Sequence, residues 1–118
     1  MKDDLSAMLP LAPAALHILL ALAGEDRHGY GIIKEVARQS AHHYKLGSGT
    51  LYDNLKKLMD RGLVKEAPGR TGKEDPPRRY YRLTEFGRRV LKADLVRLET
   101  VLREARLHLR AVESGKAS

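Results

Sequence analysis

The amino-acid sequence predicts a mainly α domain with a small β-hairpin, followed by a long C-terminal helix. Three stretches predict it. Residues 47–64, GSGTLYDNLKKLMDRGLV, carry Leu51, Leu55 and Leu58 at i, i+4 and i+7, so one stripe of a helix is apolar. Residues 63–67 and 78–83 are short β-forming runs on either side of a Pro- and Gly-rich loop. After Thr84, leucines recur in a heptad pattern.

The 47–64 stretch organises the rest. Ser48 or Thr50 is placed to cap its start, and Asp53 is expected in the first turn, where the helix dipole favours a carboxylate. Gly62 ends it, because glycine alone takes a left-handed cap at little cost. A helix with one buried face and a basic, amide-bearing outer face suits a DNA major groove. The competing reading of this helix by itself is an ordinary amphipathic surface helix.

Taken in order, residues 1–9 read as a short mobile arm. A first helix is predicted over 13–23, opened by Pro13. It is apolar on two stripes. Leu16, Leu19, Leu20 and Ala23 form one; Ala15, Ile18 and Leu22 form the other. Apolar on nearly every side, it is expected to share a partner's surface through Leu16, Ile18 and Leu22. His17 reads as a hydrogen-bonded core or interface residue. Residues 24–29 read as a turn, and 30–40 as a second helix with Ile32, Ile33, Val36 and Ala37 inward. His42 and His43 lie in the following loop without a carboxylate or Cys at ligand spacing, so no metal is assigned.

Beyond the organising helix, 63–67 and 78–83 form a hairpin with a basic tip that includes Arg70 and Lys73. Three helices and then a hairpin is the order of a winged helix-turn-helix; the alternative is a generic hairpin beside a helical bundle. Thr84 caps a last helix over 85–112. Leu91, Leu95, Leu98, Leu102, Ala105, Leu109 and Val112 keep the alternating 4–3 spacing of a coiled-coil seam. Asp94 with Arg97 reads as a weak helix-surface pair. The expected organisation is a winged helix-turn-helix domain over 1–84 and a dimerisation helix over 85–118, with the first helix shared with the dimer interface.

Composition bears on function. The 118 residues carry a net charge of +7 and a pI near 9.9. The excess is concentrated: residues 45–89 hold 12 basic and 6 acidic side chains, whereas residues 1–44 hold 4 and 5. A surface tuned for solubility has no reason to gather charge that way, and double-stranded DNA is the expected partner. There is no Cys, which excludes disulfides and cysteine-ligated zinc and fits a cytoplasmic location. MKDDL is not a positively charged leader, and the apolar run 14–23 is well short of the roughly 20 residues that span a bilayer. Neither membrane nor cofactor is expected. No nucleophile stands with a paired base, and no phosphate loop or metal constellation is present, which argues against an enzyme.

The chain resembles the PadR family of bacterial transcriptional regulators over nearly its whole length. The residues that carry the resemblance are His28-Gly29-Tyr30-Gly31-Ile32, Gly49-Thr50-Leu51-Tyr52, Leu55 through Gly62-Leu63-Val64, and Arg79-Tyr80-Tyr81-Arg82-Leu83-Thr84-Glu85-Phe86-Gly87. Their order and spacing together are more specific than any one of them. The single C-terminal helix is similar to the short subgroup of that family. The resemblance implies a homodimeric repressor. Its third helix enters the major groove, its wing touches backbone or minor groove, and its last helix dimerises with the partner's first. Some relatives bind aromatic effectors between the dimer halves. This chain has no Trp and a single Phe, so an aromatic clamp is not evident, and a small-molecule effector stays open. Asp53 departs from the family, which commonly has Pro after the Tyr. An acid there either helps cap the helix or accepts from a cytosine amino group.

Site roles follow from chemistry. Lys45, Lys57 and Arg79 are expected to neutralise phosphates. Tyr52 offers a phosphate its hydroxyl or packs against Met59. Thr50 and Asn54, near Ser48 at the helix start, are the candidates for base edges. Arg70 and Lys73 reach the minor groove or lie in a solvated loop. A dimeric regulator implies a roughly palindromic operator. The second reading is a winged-helix module that binds protein; it would not need the basic concentration in 45–89.

Overall fold

A computed structural model describes residues 2–69, 78–113 and 115, with side chains from Leu5 onward. Arg70 and Lys73 lie outside the described residues. The described elements are α1 (Lys2–Ala7), α2 (Pro13–Leu22), β1 (Arg27–His28), α3 (Gly29–Gln39), α4 (Ser48–Asp60), β2 (Val64–Ala67), β3 (Tyr80–Leu83) and α5 (Glu85–Glu113). The order is the one expected, with two additions. Residues read as an arm form α1, whose end brings Leu5, Met8 and Leu9 partly into the core. Part of the 24–29 turn is a strand: β1 pairs antiparallel with β3, giving a sheet of order β1-β3-β2. Two residues are too few for a period-2 pattern, so β1 left no mark in the sequence.

Helix α4 buries Leu51, Leu55 and Leu58 as its spacing requires. Its stop is a Schellman motif. Gly62 takes φ +77, Gly62 N–H donates to Met59 O at 3.0 Å, and Leu63 N–H donates to Leu58 O at 2.9 Å. Leu58 and Leu63, both buried, provide the apolar contact of that motif. At the other end the N-cap is Gly47, without a side-chain hydrogen bond, so neither Ser48 nor Thr50 caps the helix. Asp53 lies beyond the first turn and instead pairs with Lys57 at 3.2 Å.

The core joins all the layers. Ile18, Leu19 and Leu22 of α2 meet Ile32 and Val36 of α3, the apolar stripe of α4, Leu63, Val64, Tyr81 and Leu83 of the sheet region, and Val90 and Leu91 of α5. Two expectations are corrected here. Ile18 and Leu22 do not wait for a partner: they are buried inside the single chain, because α3, α4 and α5 all pack on α2. Leu91 likewise faces the chain's own core. Leu16 is half-buried on α2.

Helix α5 therefore has two parts. Thr84 caps it as expected, accepting from Gly87 N–H at 2.9 Å while its hydroxyl donates to Gly62 O at 2.6 Å. The first turns belong to the core. From Leu95 onward the seam is bare: Leu98 is half-buried, and Leu95, Leu102, Ala105, Leu109 and Val112 are exposed, Leu102 by 50% and Leu109 by 60%. With 29 residues the helix is about 43 Å long, and nothing in the described chain covers its second half. Asp94 is not the surface residue the pattern suggested; it is wholly buried.

Candidate nucleic-acid interface

Burying Leu51, Leu55 and Leu58 turns the opposite face of α4 outward. At 100° per residue that face carries Gly49, Asp53, Lys56, Lys57 and Asp60. Its charges are arranged as i, i+4 pairs, Lys57 with Asp53 at 3.2 Å and Lys56 with Asp60 at 3.7 Å. Exposed pairs of this kind hold a side chain only weakly, so either lysine can turn to a phosphate at small cost.

The residues expected at the interface separate into three places. Lys45, Ser48 and Thr50 are exposed at and just before the start of α4. Asn54 is half-buried on the flank. Its Nδ2 donates to Thr50 O at 2.9 Å, and with Lys57 it lines a cleft shared with Met8, Pro10 and Leu11. Tyr52 and Arg79 meet on the other flank, in a cleft of about 420 Å³ with His28, Gly29, Tyr30, Arg78 and Tyr81.

That second cleft is built by close approach. The Tyr52 ring lies directly over Gly29, whose missing Cβ leaves the only room for the phenol: a Cβ there would overlap Tyr52 Oη and Cζ. Tyr52 thus rests on the start of α3, and its side chain stays half-exposed toward the cleft. Register places His28 opposite Tyr80, with their rings edge to face at 5.4 Å. His28 caps α3, its Nδ1 accepting from Gly31 N–H at 3.0 Å. Arg79 is 4.0 Å from Glu66 across the hairpin. Burial first, and then the neighbouring Tyr52, push the Tyr81 hydroxyl above its usual range, so it remains a neutral hydrogen-bonding group.

A third cleft, of about 690 Å³, adjoins the Tyr52 cleft and shares His28, Tyr30 and Arg78 with it. Arg27, Lys34, Arg38 and His42 add positive or ionisable groups, and Glu35 lies among them. Arg38 and Gln39 both donate to the Glu35 carboxylate, at 2.7 and 2.8 Å. The Arg38 hydrogen bond, with Arg27 nearby, holds that carboxyl below its ordinary 4.5 against the opposing effect of burial.

Sequence reasoning missed the lining made by His28, Tyr30 and Arg78. The signal was the run Arg78-Arg79-Tyr80-Tyr81, basic residues leading directly into the aromatics that open β3, but only the pairing of β1 with β3 brings His28 to it. Among the described residues His17 Nδ1 has no hydrogen-bond partner; the ring stacks on Tyr44 with centroids 4.4 Å apart.

The geometry has the layout of a transcription factor, and comparison with known proteins decides the matter. The family described as "Transcriptional regulator PadR-like family" matches residues 18–93. The chain belongs to the PadR-like family of transcriptional regulators. It is 38% identical over 94 residues to Transcriptional regulator Rv3488 of Mycobacterium tuberculosis, covering 79% of this chain and 82% of that one. PadR-like folds are found among solved structures. A PadR family transcription regulator from Clostridium difficile superposes with a TM-score of 0.71 at 23% identity, over 83% of this chain and 99% of that one. Bacillus subtilis PadR, solved in complex with operator DNA, gives 0.62 at 24% identity, over 74% of this chain and 49% of that one. The PadR-like family and the relative are regulators, not enzymes. Among the described residues, no helix is long and apolar enough to cross a membrane.

Proposed function

We propose that this PadR-like chain is a cytoplasmic, homodimeric DNA-binding repressor that reads a roughly palindromic operator. The observation that carries the reading is α4 itself: its apolar stripe is anchored in the core, its opposite face is bare, and cationic side chains flank it at Arg79, just before β3, and at Lys45. Thr50 and Asn54 are the base-reading candidates. Lys45, Lys57, Arg79 and Tyr52 are the backbone contacts, and Ser48 stands at the groove mouth. Arg70 and Lys73, from the segment between β2 and β3, are assigned to the minor groove or backbone. The Bacillus subtilis protein with the same fold was solved on operator DNA, which favours this reading over a protein-binding winged helix.

The dimer is assigned to α5. An isolated chain leaves Leu95, Leu98, Leu102, Ala105 and Leu109 wholly or partly in water, with half-buried Leu16 on the neighbouring α2. Burying a leucine side chain is worth about 1.5–3 kcal/mol, so several per chain outweigh the cost of association. On this assignment residues 1–84 position the reader and 85–118 set the dimer.

Gel-shift titration on the DNA upstream of the chain's own coding sequence tests the function. Binding is expected to exceed that to random duplex and to weaken steeply between 50 and 200 mM salt, because each neutralised phosphate releases counterions. Equal, salt-insensitive binding to both DNAs would favour the protein-binding alternative.

A further inference from the structure

The cleft between α4 and the segment leading into α2 is built differently from those beside α3. Asn54, Lys57, Leu58 and Arg61 stand at i, i+3, i+4 and i+7, so one face of α4 lines it. Leu58 and, from α2, Ala15 are buried and make its floor. Half-buried Met8 and Leu11 belong to the facing wall, which is apolar throughout. No carboxylate lines the cleft. Its two cations are not equivalent. Lys57 is compensated by Asp53 at 3.2 Å, in an exposed pair that holds it only weakly. Asp60, next to Arg61 in the chain, pairs with Lys56 at 3.7 Å. Arg61 ends α4 and has no carboxylate partner among the described residues.

An apolar cleft with one uncompensated guanidinium on its polar side complements an apolar ligand with one negative charge. The planar fork of Arg61 matches a carboxylate through two parallel hydrogen bonds. The Asn54 amide, whose Nδ2 donates to Thr50 O at 2.9 Å, has a second N–H to add. The volume of about 260 Å³ lies below the range of about 300–1,000 Å³ that holds drug-sized ligands, so the body is short. A floor and wall of methyl and methylene groups suit an alkyl chain. We infer that this cleft is a binding site for a short-chain fatty acid. Its carboxylate draws on Asn54 and Lys57, the side chains assigned to DNA, so ligand and duplex compete. The competition rests on the DNA-binding reading; the site itself does not.

The test titrates the whole wild-type chain with hexanoate, without DNA and at constant pH and ionic strength, and follows the backbone amide signals. Saturable shifts are expected at Met8, Leu11 and Arg61. Hexanol keeps the alkyl body without the charge, and acetate keeps the charge without the body. Each is expected to bind about tenfold more weakly or worse. Arg61→Gln should lower hexanoate affinity about tenfold, as for one charge-assisted hydrogen bond, and leave the thermal midpoint unchanged. Ala12→Leu, on the exposed rim, should lower it as well by filling the cleft while every cation stays in place. Hexanoate that does not saturate, hexanol or acetate that binds as well, or an affinity that survives both substitutions overturns the site. Gel shift reads the competition. Saturating hexanoate should weaken operator binding by wild type about tenfold and have little effect on Ala12→Leu. Operator affinity unmoved by bound hexanoate overturns the competition. A chain that binds hexanoate but no DNA would sink the DNA-binding reading alone, and one that binds operator but not hexanoate would sink the site alone.

Discussion

Asp94 is wholly buried on α5, with Oδ1 2.7 Å from Arg97 Nε and Oδ2 without a hydrogen-bond partner in the described chain. A half-satisfied carboxylate in a core costs stability that its single partner only partly returns. Arg97→Met should therefore lower the urea midpoint, because it strips a buried charge of its partner. Asp94→Leu with Arg97→Met should restore the wild-type midpoint or exceed it. A double variant as unstable as the single one would mean the carboxylate does more than sit paired.

Gly29 and Tyr52 should be coupled. Gly29→Ala pushes a methyl into the phenol and should destabilise the domain, while Tyr52→Ala removes the obstacle. Contacting pairs show interaction energies of about 0.5–3 kcal/mol. The double variant should therefore lose clearly less than the two single losses added together. Strict additivity in denaturation experiments would show that the ring does not rest on α3.

The proposed reading by α4 is separable from backbone binding. Thr50→Ala or Asn54→Ala should cost operator DNA about 1–3 kcal/mol per lost base contact and leave random DNA unaffected. Lys57→Ala should weaken both about equally. Operator affinity unchanged by all three substitutions at physiological salt would remove α4 as the reader.

The proposed α5 seam can be tested by charge. Leu98→Glu with Leu102→Glu places like charges along the exposed stripe of α5. Sedimentation should then give monomer, and operator binding should fall with α4 untouched. A wild-type chain that sediments as a folded monomer at micromolar concentration would count against the dimer.

Glu35 gives a pH signature. Its folded pKa is depressed, first by the Arg38 hydrogen bond. The stability it contributes is thus complete above its unfolded value near 4.5 and lost as pH falls through the lower folded value. Glu35→Gln should flatten the stability profile in that acid window and leave its shape near neutrality unchanged. An identical acid limb in wild type and variant would show that the carboxyl is not held down in the fold.

What was legible in the sequence follows from how locally each feature is encoded. Leu51, Leu55, Leu58 and Gly62 define α4 and its stop within a few turns, and Thr84 announces the start of α5, so these could be read, whereas the N-cap of α4 could not. Whether a stripe faces a partner or the chain's own core is not local. Ile18 and Leu22 have the same pattern as an interface, and only the packing of three other helices against α2 consumes them. Leu91 sits in heptad phase with Leu95, yet one is core and the other exposed. The His28–Arg78 contact joins residues 50 apart in sequence, and no periodicity connects them. Asp94 resembled a surface acid because spacing gives the face of a helix and not the depth of its burial.

The Thr84 hydroxyl ties the C-terminal cap of α4 to the first turn of α5. The two helices are thereby joined through one side chain. In a dimer held by the distal half of α5, a change in the crossing angle of the two long helices swings each α4 at the opposite end of a lever about 43 Å long. A few degrees at the seam become several ångströms at the DNA. Half-site spacing is then set far from the groove, by whatever packs between the two copies of α5. Thr84→Val, which removes both hydroxyl bonds while keeping the side chain's shape and the Thr84 N–H to Leu63 O bond, should widen the tolerance for operators whose half-sites are moved apart by one base pair.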